Sequence, residues 1–434
     1  MKKYVWGLAA IAIMVIGFAV PSQAASFKVG DTDWTLGGSA RLDVGWRSSE
    51  LGDRKELGVG SQDKQKDFFL YVPSNTRLFT KAVNGNMGGY VELGLFPGIP
   101  DWGYDAVVKV RHAYLNYDMG GGNSLLIGRT WTCVAEDSPN QRLFDDNGLG
   151  GLGDLYLGRN PQIRFIHTQN KMTFQVAIED NKISGPDTAL LALMGKLPGI
   201  IAEYTAANYL IEDLTPALAM SLSYDGGSFV ITPSLYAQQF TLKADELDTD
   251  TGEAVAGLGD IDLTSYALAL NGAVKFEGLT LSGEVWWGQN VALFAAVTNY
   301  GNPIFGWPLP DLSSYDEDIA RFTDVKDVKS YGGWLQLAAP IKPGTLYVGA
   351  GYQTAESGID VDEVSIDDYT AMGFFINYEY PIAKNFTMTP EVAYYDYGKL
   401  KGNAALEGEG GEIANWDFKL GKDWFFGVHF QYDF

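Results

Sequence analysis

Cysteine is almost missing from this chain of 434 residues, where Cys133 is the one thiol. A protein of this length is therefore held together without an internal disulfide, and Cys133 reads as an unreactive thiol at the root of a loop. No C-x-x-C-H occurs, which excludes covalent c-type haem, and no cofactor or metal is expected. Histidine is scarce as well, limited to His112, His167 and His429. Neither G-x-S-x-G nor H-E-x-x-H is present, so the sequence encodes no nucleophile elbow and no zinc-hydrolase helix. Past the first residues there is no run of about 18 consecutive apolar positions, which excludes a helical membrane protein. Basic residues are outnumbered, 31 Lys and Arg against 54 Asp and Glu, giving a formal net charge of −23. No nucleic-acid partner is expected.

Glycine and aromatics, by contrast, are plentiful, with 52 Gly, 24 Tyr, 23 Phe and 11 Trp. That composition suits many strands joined by tight turns and flanked by aromatic girdles. The chain opens with Lys2 and Lys3, an apolar run from Tyr4 to Val20, then Pro21 and Ser22-Gln23-Ala24. This is the three-part pattern of a secretory signal peptide with cleavage after Ala24, so 1–24 reads as a leader and 25–434 as a single barrel domain.

Beyond the leader, apolar and polar residues alternate with a period of two. Leu36, Ala40, Leu42, Val44 and Trp46 share one parity, and Ser39, Arg41 and Asp43 the other. Val91, Leu93 and Leu95 oppose Glu92, while Leu279, Leu281, Val285 and Trp287 oppose Thr280, Ser282 and Glu284. Each segment is a weak sign of a strand with one lipid face and one lumen face; many in series make a strong one. The connections alternate in length. Short ones carry turn chemistry, as at Asn84-Gly85-Asn86, Gly120-Gly121-Gly122 and Gln169-Asn170. Long ones fall near 47–68, 97–107, 132–160, 180–215, 243–261, 289–328, 355–367 and 400–423. Seven turns and eight loops give an all-β fold, a transmembrane antiparallel β-barrel of sixteen strands, or eighteen if the apolar segment 187–211 adds a pair.

On the last segment Phe426, Val428, Phe430, Tyr432 and Phe434 share one face. They form a lipid-facing edge that must pair with the first strand to remove both sheet edges, and chains delivered to outer-membrane assembly machinery end in this way. One stretch breaks the alternation. Thr132 to Asn160 is rich in glycine and holds Glu136, Asp137, Asp145, Asp146 and Asp154 between strands with inward-pointing arginines. It reads as a constriction loop folded into the lumen, where it narrows a pore.

RLFTKA (Arg77 to Ala82), YVELGL (Tyr90 to Leu95), VRHAYLNY (Val110 to Tyr117), LLIGRTWT (Leu125 to Thr132) and IRFIHT (Ile163 to Thr168) resemble the second to sixth strands of the sixteen-stranded trimeric porins of Gram-negative outer membranes. The loop lacks that family's commonest internal motif, and 187–211 has no counterpart in it. The resemblance implies a homotrimer in the bacterial outer membrane, in contact with lipid, lipopolysaccharide and the assembly machinery. It also implies a water-filled channel for small hydrophilic solutes and ions, with a basic ladder of Arg41, Arg77, Arg111 and Arg164 facing the loop carboxylates. Two alternatives stand beside this reading: a substrate-selective channel, and a barrel enzyme acting on lipid or protein. The enzyme reading is the weaker, since His112 and His167 fall on outward parity and only His429 on inward parity. Acidic clusters at 245–253, 316–318 and 360–368 read as solvated faces that raise local cation concentration.

Overall fold

The structure, a computed structural model, describes residues 24–50, 64–73, 75–96, 107–135, 137–143, 153–181, 209–244, 261–295, 309–310, 315–316, 321–322, 325–356, 360–361, 364–366, 368–405 and 413–434. The leader expected at 1–24 lies outside them but for its last residue.

Period-two segments become sixteen barrel strands: β1 (Thr32–Glu50), β2 (Lys64–Tyr71 and Arg77–Asn84), β3 (Met87–Phe96), β4 (Val107–Gly120), β5 (Asn123–Trp131), β6 (Arg159–Gln169), β7 (Met172–Glu179), β8 (Tyr209–Asp213 and Ala217–Asp225), β9 (Phe229–Ala244), β10 (Ile261–Phe276), β11 (Leu279–Gln289), β12 (Lys329–Ile341), β13 (Gly344–Ala355), β14 (Tyr369–Ala383), β15 (Phe386–Asp396) and β16 (Lys422–Asp433). Each pairs antiparallel with the next, and β16 returns to β1 from Ser39↔Asp433 to Glu50↔Lys422. Closure leaves no barrel edge unpaired. The ring is complete without the further pair allowed for at 187–211, because Tyr209–Asp213 completes β8 against β9. The remainder of that segment, 187–208, lies outside the described residues.

Local chemistry explains the interruptions. β2 and β8 each break around a proline, Pro73 and Pro216, which cannot donate to a ladder. The closing seam runs to the final residue, where Gly38 and Phe434 exchange main-chain hydrogen bonds of 2.8 and 3.0 Å. A short strand, Ala25–Val29, pairs with the start of β1. At the long-connection end, part of what was expected to be the loop 400–423 is a hairpin of Lys399–Ala405 and Ile413–Lys419, joined to Val364–Ile366 and Asp360–Val361 in a small sheet.

The exterior is apolar. Val91, Leu115, Ile127, Ile163, Ile178, Leu268, Val285, Leu335, Ile376 and Phe426 are all exposed, an arrangement that suits a lipid surround. The two cores lie inside the barrel. One gathers Tyr236, Phe240, Ala267, Ala269 and Trp286 from β9 to β11, together with Val291, Leu293 and Phe294 of the segment after β11. The other gathers Trp334, Ala355, Phe375, Ala393, Tyr395 and Phe425 from β12 to β16.

Candidate functional site

Both cores are completed by the connection between β5 and β6, the acidic stretch of the sequence. Val134, Leu155 and Leu157 belong to the first core and Leu143 to the second. Its described residues leave β5 and dock on the opposite wall. Arg142 and Leu143 donate main-chain hydrogen bonds of 2.8 and 2.9 Å to the two oxygens of Glu391 on β15. The Arg142 guanidinium meets Glu379 of β14 at 2.9 Å, and the Asn377 amide donates to the Asn140 carbonyl at 2.7 Å. On the returning limb Leu155 donates to Glu284 of β11 at 2.8 Å, Gly153 to Gln353 of β13 at 3.0 Å, and Trp286 to the Gly153 carbonyl at 3.0 Å. Gly153 has φ of +86°, and a Cβ there would stand 2.2 Å from the Gly333 carbonyl oxygen. Only glycine lets the limb lie this close to the wall.

Of the loop carboxylates singled out in the sequence, Glu136, Asp145 and Asp146 lie outside the described residues. Asp137 is exposed. Asp154 is buried and accepts a 3.0 Å hydrogen bond from Ser138.

The facing wall, β2 to β6, is built differently. Arg77, Arg111 and Arg164 of this wall sit on the lumen side, as does Arg41 of the adjoining β1. Arg41 and Arg164 are buried, and Arg164 donates to Gln162 at 2.8 Å and Gln175 at 3.0 Å. Among the described residues, the carboxylate against Arg77 and Arg111 is not a loop acid but Glu92 of β3, at 3.2 and 2.8 Å. Tyr90 also donates to Glu92, at 2.7 Å. Glu92 was legible as an inward glutamate in an alternating strand, though the expected ladder passed over it. Arg159, which the sequence reading also omitted, lies 3.7 Å over the Trp131 ring.

One parity is corrected. His112, expected to face outward, is buried beside Tyr90, Tyr114 and Trp131 and shares a 2.9 Å hydrogen bond with Thr130. The register slips at β3 and β4, from Glu92↔His112 to Leu93↔Val110, leaving Arg111 as the extra residue of a β-bulge. Arg111 and His112 thus both turn inward. His167 keeps its outward parity, bonded to Asn123 at 2.8 Å. His429 faces inward against Asp43 at 2.6 Å.

On the closing strand Phe426 is exposed. Phe430 stacks on Phe386 with centroids 6.4 Å apart, and Tyr432 lies tilted against Phe434 at 6.3 Å. Most of the acidic-cluster residues of the other long connections lie outside the described residues. No family model matches the chain, and no curated protein matches it in sequence.

Solved structures do match. The outer membrane channel DcaP of Acinetobacter baumannii superposes with a TM-score of 0.61 at 16% identity, covering 94% of this chain and 100% of that one. OmpT of Vibrio cholerae gives 0.52 at 12% identity over 94% and 100%. The anion-selective porin from Comamonas acidovorans gives 0.52 at 13% over 93% and 100%. At these identities the likeness is one of fold, and the fold is that of the Gram-negative outer-membrane porins.

Proposed function

We infer that the protein is an outer-membrane channel through which small hydrophilic solutes and ions diffuse passively, exported by a leader at 1–24 and inserted by machinery that reads Phe426 to Phe434. The observation that carries this reading is the asymmetry of the lumen. The β5–β6 connection is fastened to the apolar wall, so the passage that remains borders the arginine wall. Solutes then cross a gap with Arg41, Arg77, Arg111 and Arg164 on one side and the exposed loop acid Asp137 on the other, while Asp154 stays buried against Ser138. Opposed charges across a narrow aqueous gap orient dipolar solutes and set ion preference. A trimer in contact with lipopolysaccharide fits the same reading, and one solved OmpT of Vibrio cholerae is described as a trimer form.

Planar-bilayer recording of detergent-folded protein tests it. Stable, ungated conductance in steps of three is expected. Silent bilayers from folded protein, together with hydrolysis of lipid or peptide, would replace the channel with a barrel enzyme.

A further inference from the structure

On the channel reading above, the arginine wall has a feature that simple ion filtering does not need. Phe79 of β2, Tyr90 of β3 and Tyr114 of β4 are neighbours across three adjacent strands, with ring centroids 5.8 Å apart for Phe79 and Tyr90 and 5.6 Å for Tyr90 and Tyr114. All three point into the lumen and stay half-buried, while the inward aromatics Tyr236, Phe240 and Phe375 of the other wall are 0% exposed. Among the described residues the arginine side thus offers the passage a contiguous run of three half-buried rings, where the other wall keeps Tyr236, Phe240 and Phe375 sealed and leaves Tyr347 as a single half-buried ring.

The polar groups around these rings are one-sided. Glu92, the carboxylate among them, takes Arg77 and Arg111 on one oxygen and Tyr90 on the other. Its acceptor capacity is engaged by three donors. Arg77, whose side chain is 32% exposed, spends one contact of 3.2 Å on Glu92, and a guanidinium carries five donors in a planar fork. What the surface has left over is ring area and charged donors. A sugar, whose hydroxyls need acceptors as well as donors, finds few acceptors here. A ligand that brings its own carboxylate to the guanidinium and a flat ring to the aromatics satisfies both.

We propose that Phe79, Tyr90 and Tyr114 with Arg77 form a subsite for small aromatic carboxylates, placed along the solute path. Benzoate is the probe, with cyclohexanecarboxylate as the same charge on a non-aromatic ring, benzyl alcohol as the ring without charge, and maltose as the neutral sugar. Benzoate added to single wild-type channels should cause resolvable current blocks, with residence longer than for cyclohexanecarboxylate by roughly threefold to tenfold, the range expected of an aromatic pair. Phe79→Leu and Tyr114→Leu, which keep apolar bulk, should remove that difference, and Arg77→Gln should make benzoate no better than benzyl alcohol. Equal residence of benzoate and cyclohexanecarboxylate, or stronger block by maltose, overturns the subsite. Calorimetric titration of benzoate into detergent-folded protein separates the two readings. Binding that Tyr114→Leu abolishes, in protein without conductance, would keep the subsite and sink the channel; conductance with no ring-dependent binding would do the reverse.

Discussion

Two inward faces of one barrel, built by the same alternation, have different interiors. On β9 to β15 the lumen-facing residues include the buried Tyr236, Phe240, Ala267, Ala269, Trp286, Phe375 and Ala393, with Glu284, Gln353, Asn377 and Glu391 among them holding the β5–β6 connection. On β2 to β6 they include Arg77, Phe79, Tyr90, Glu92, Arg111 and Tyr114, most of them half-buried. Period two decides only which residues point inward. Whether an inward face is dry depends on what covers it, and apolar inward residues attract the apolar part of the loop. The loop reads in sequence as a run of carboxylates, yet Val134, Leu143, Leu155 and Leu157 decide where it lies.

The largest expected effect comes from releasing the loop from the dry wall. Glu391→Ala deprives the main-chain N–H groups of Arg142 and Leu143 and the Asn377 amide of an acceptor in a buried site. Orphaned buried donors cost about 1–3 kcal/mol each. The single-channel conductance of Glu391→Ala should rise as the loop detaches, and the temperature at which the barrel unfolds in detergent should fall. Glu391→Gln, which keeps one acceptor oxygen, should do less of both. Unchanged conductance in Glu391→Ala would show that the two walls do not differ as described.

A smaller effect sharpens the same contrast with matched substitutions. Phe240→Ala opens a hole in a sealed cluster and should cost about 3–5 kcal/mol. Phe79→Ala removes a ring already half in contact with the passage and should cost less than half as much. Urea midpoints of the two variants, compared with wild type, read this directly. Equal losses would mean that the arginine wall is packed as tightly as the other.

Much of this arrangement was legible in the sequence, and the misses have physical causes. Sixteen strands followed from counting turns and loops, and the inward parity of Arg41, Arg77 and Arg164 from alternation, whereas Arg111 sits at a bulge where alternation fails. The bulge at Arg111 was invisible to a count of two, since one extra residue reverses parity without changing composition, and His112 was misplaced for that reason. The partnership of Glu92 with Arg77 and Arg111 joins β3 to β2 and β4 and needs the register, which no single segment reveals. The anchors Glu284 and Glu391 each accept main-chain N–H groups from a loop more than a hundred residues away, and such contacts leave no local motif.

The smallest effect is electrostatic and separates the charge of the arginine wall from its shape. Arg77, Arg111 and Glu92 together carry a net positive charge beside the passage. Arg77→Gln should shift zero-current potentials toward cation preference, and Glu92→Gln toward anion preference, each by roughly twofold in permeability ratio at 0.1 M salt. The two shifts should be opposite in sign, because one substitution removes a positive charge and the other a negative one from the same cluster. Both should fade between 0.1 M and 1 M salt, as the Debye length contracts from about 10 Å to about 3 Å. A change caused by altered width would instead persist at high salt and appear in conductance as well as selectivity. Shifts of the same sign in both variants, or shifts that survive 1 M salt, would therefore assign the effect to rearranged side chains rather than to the field of the wall.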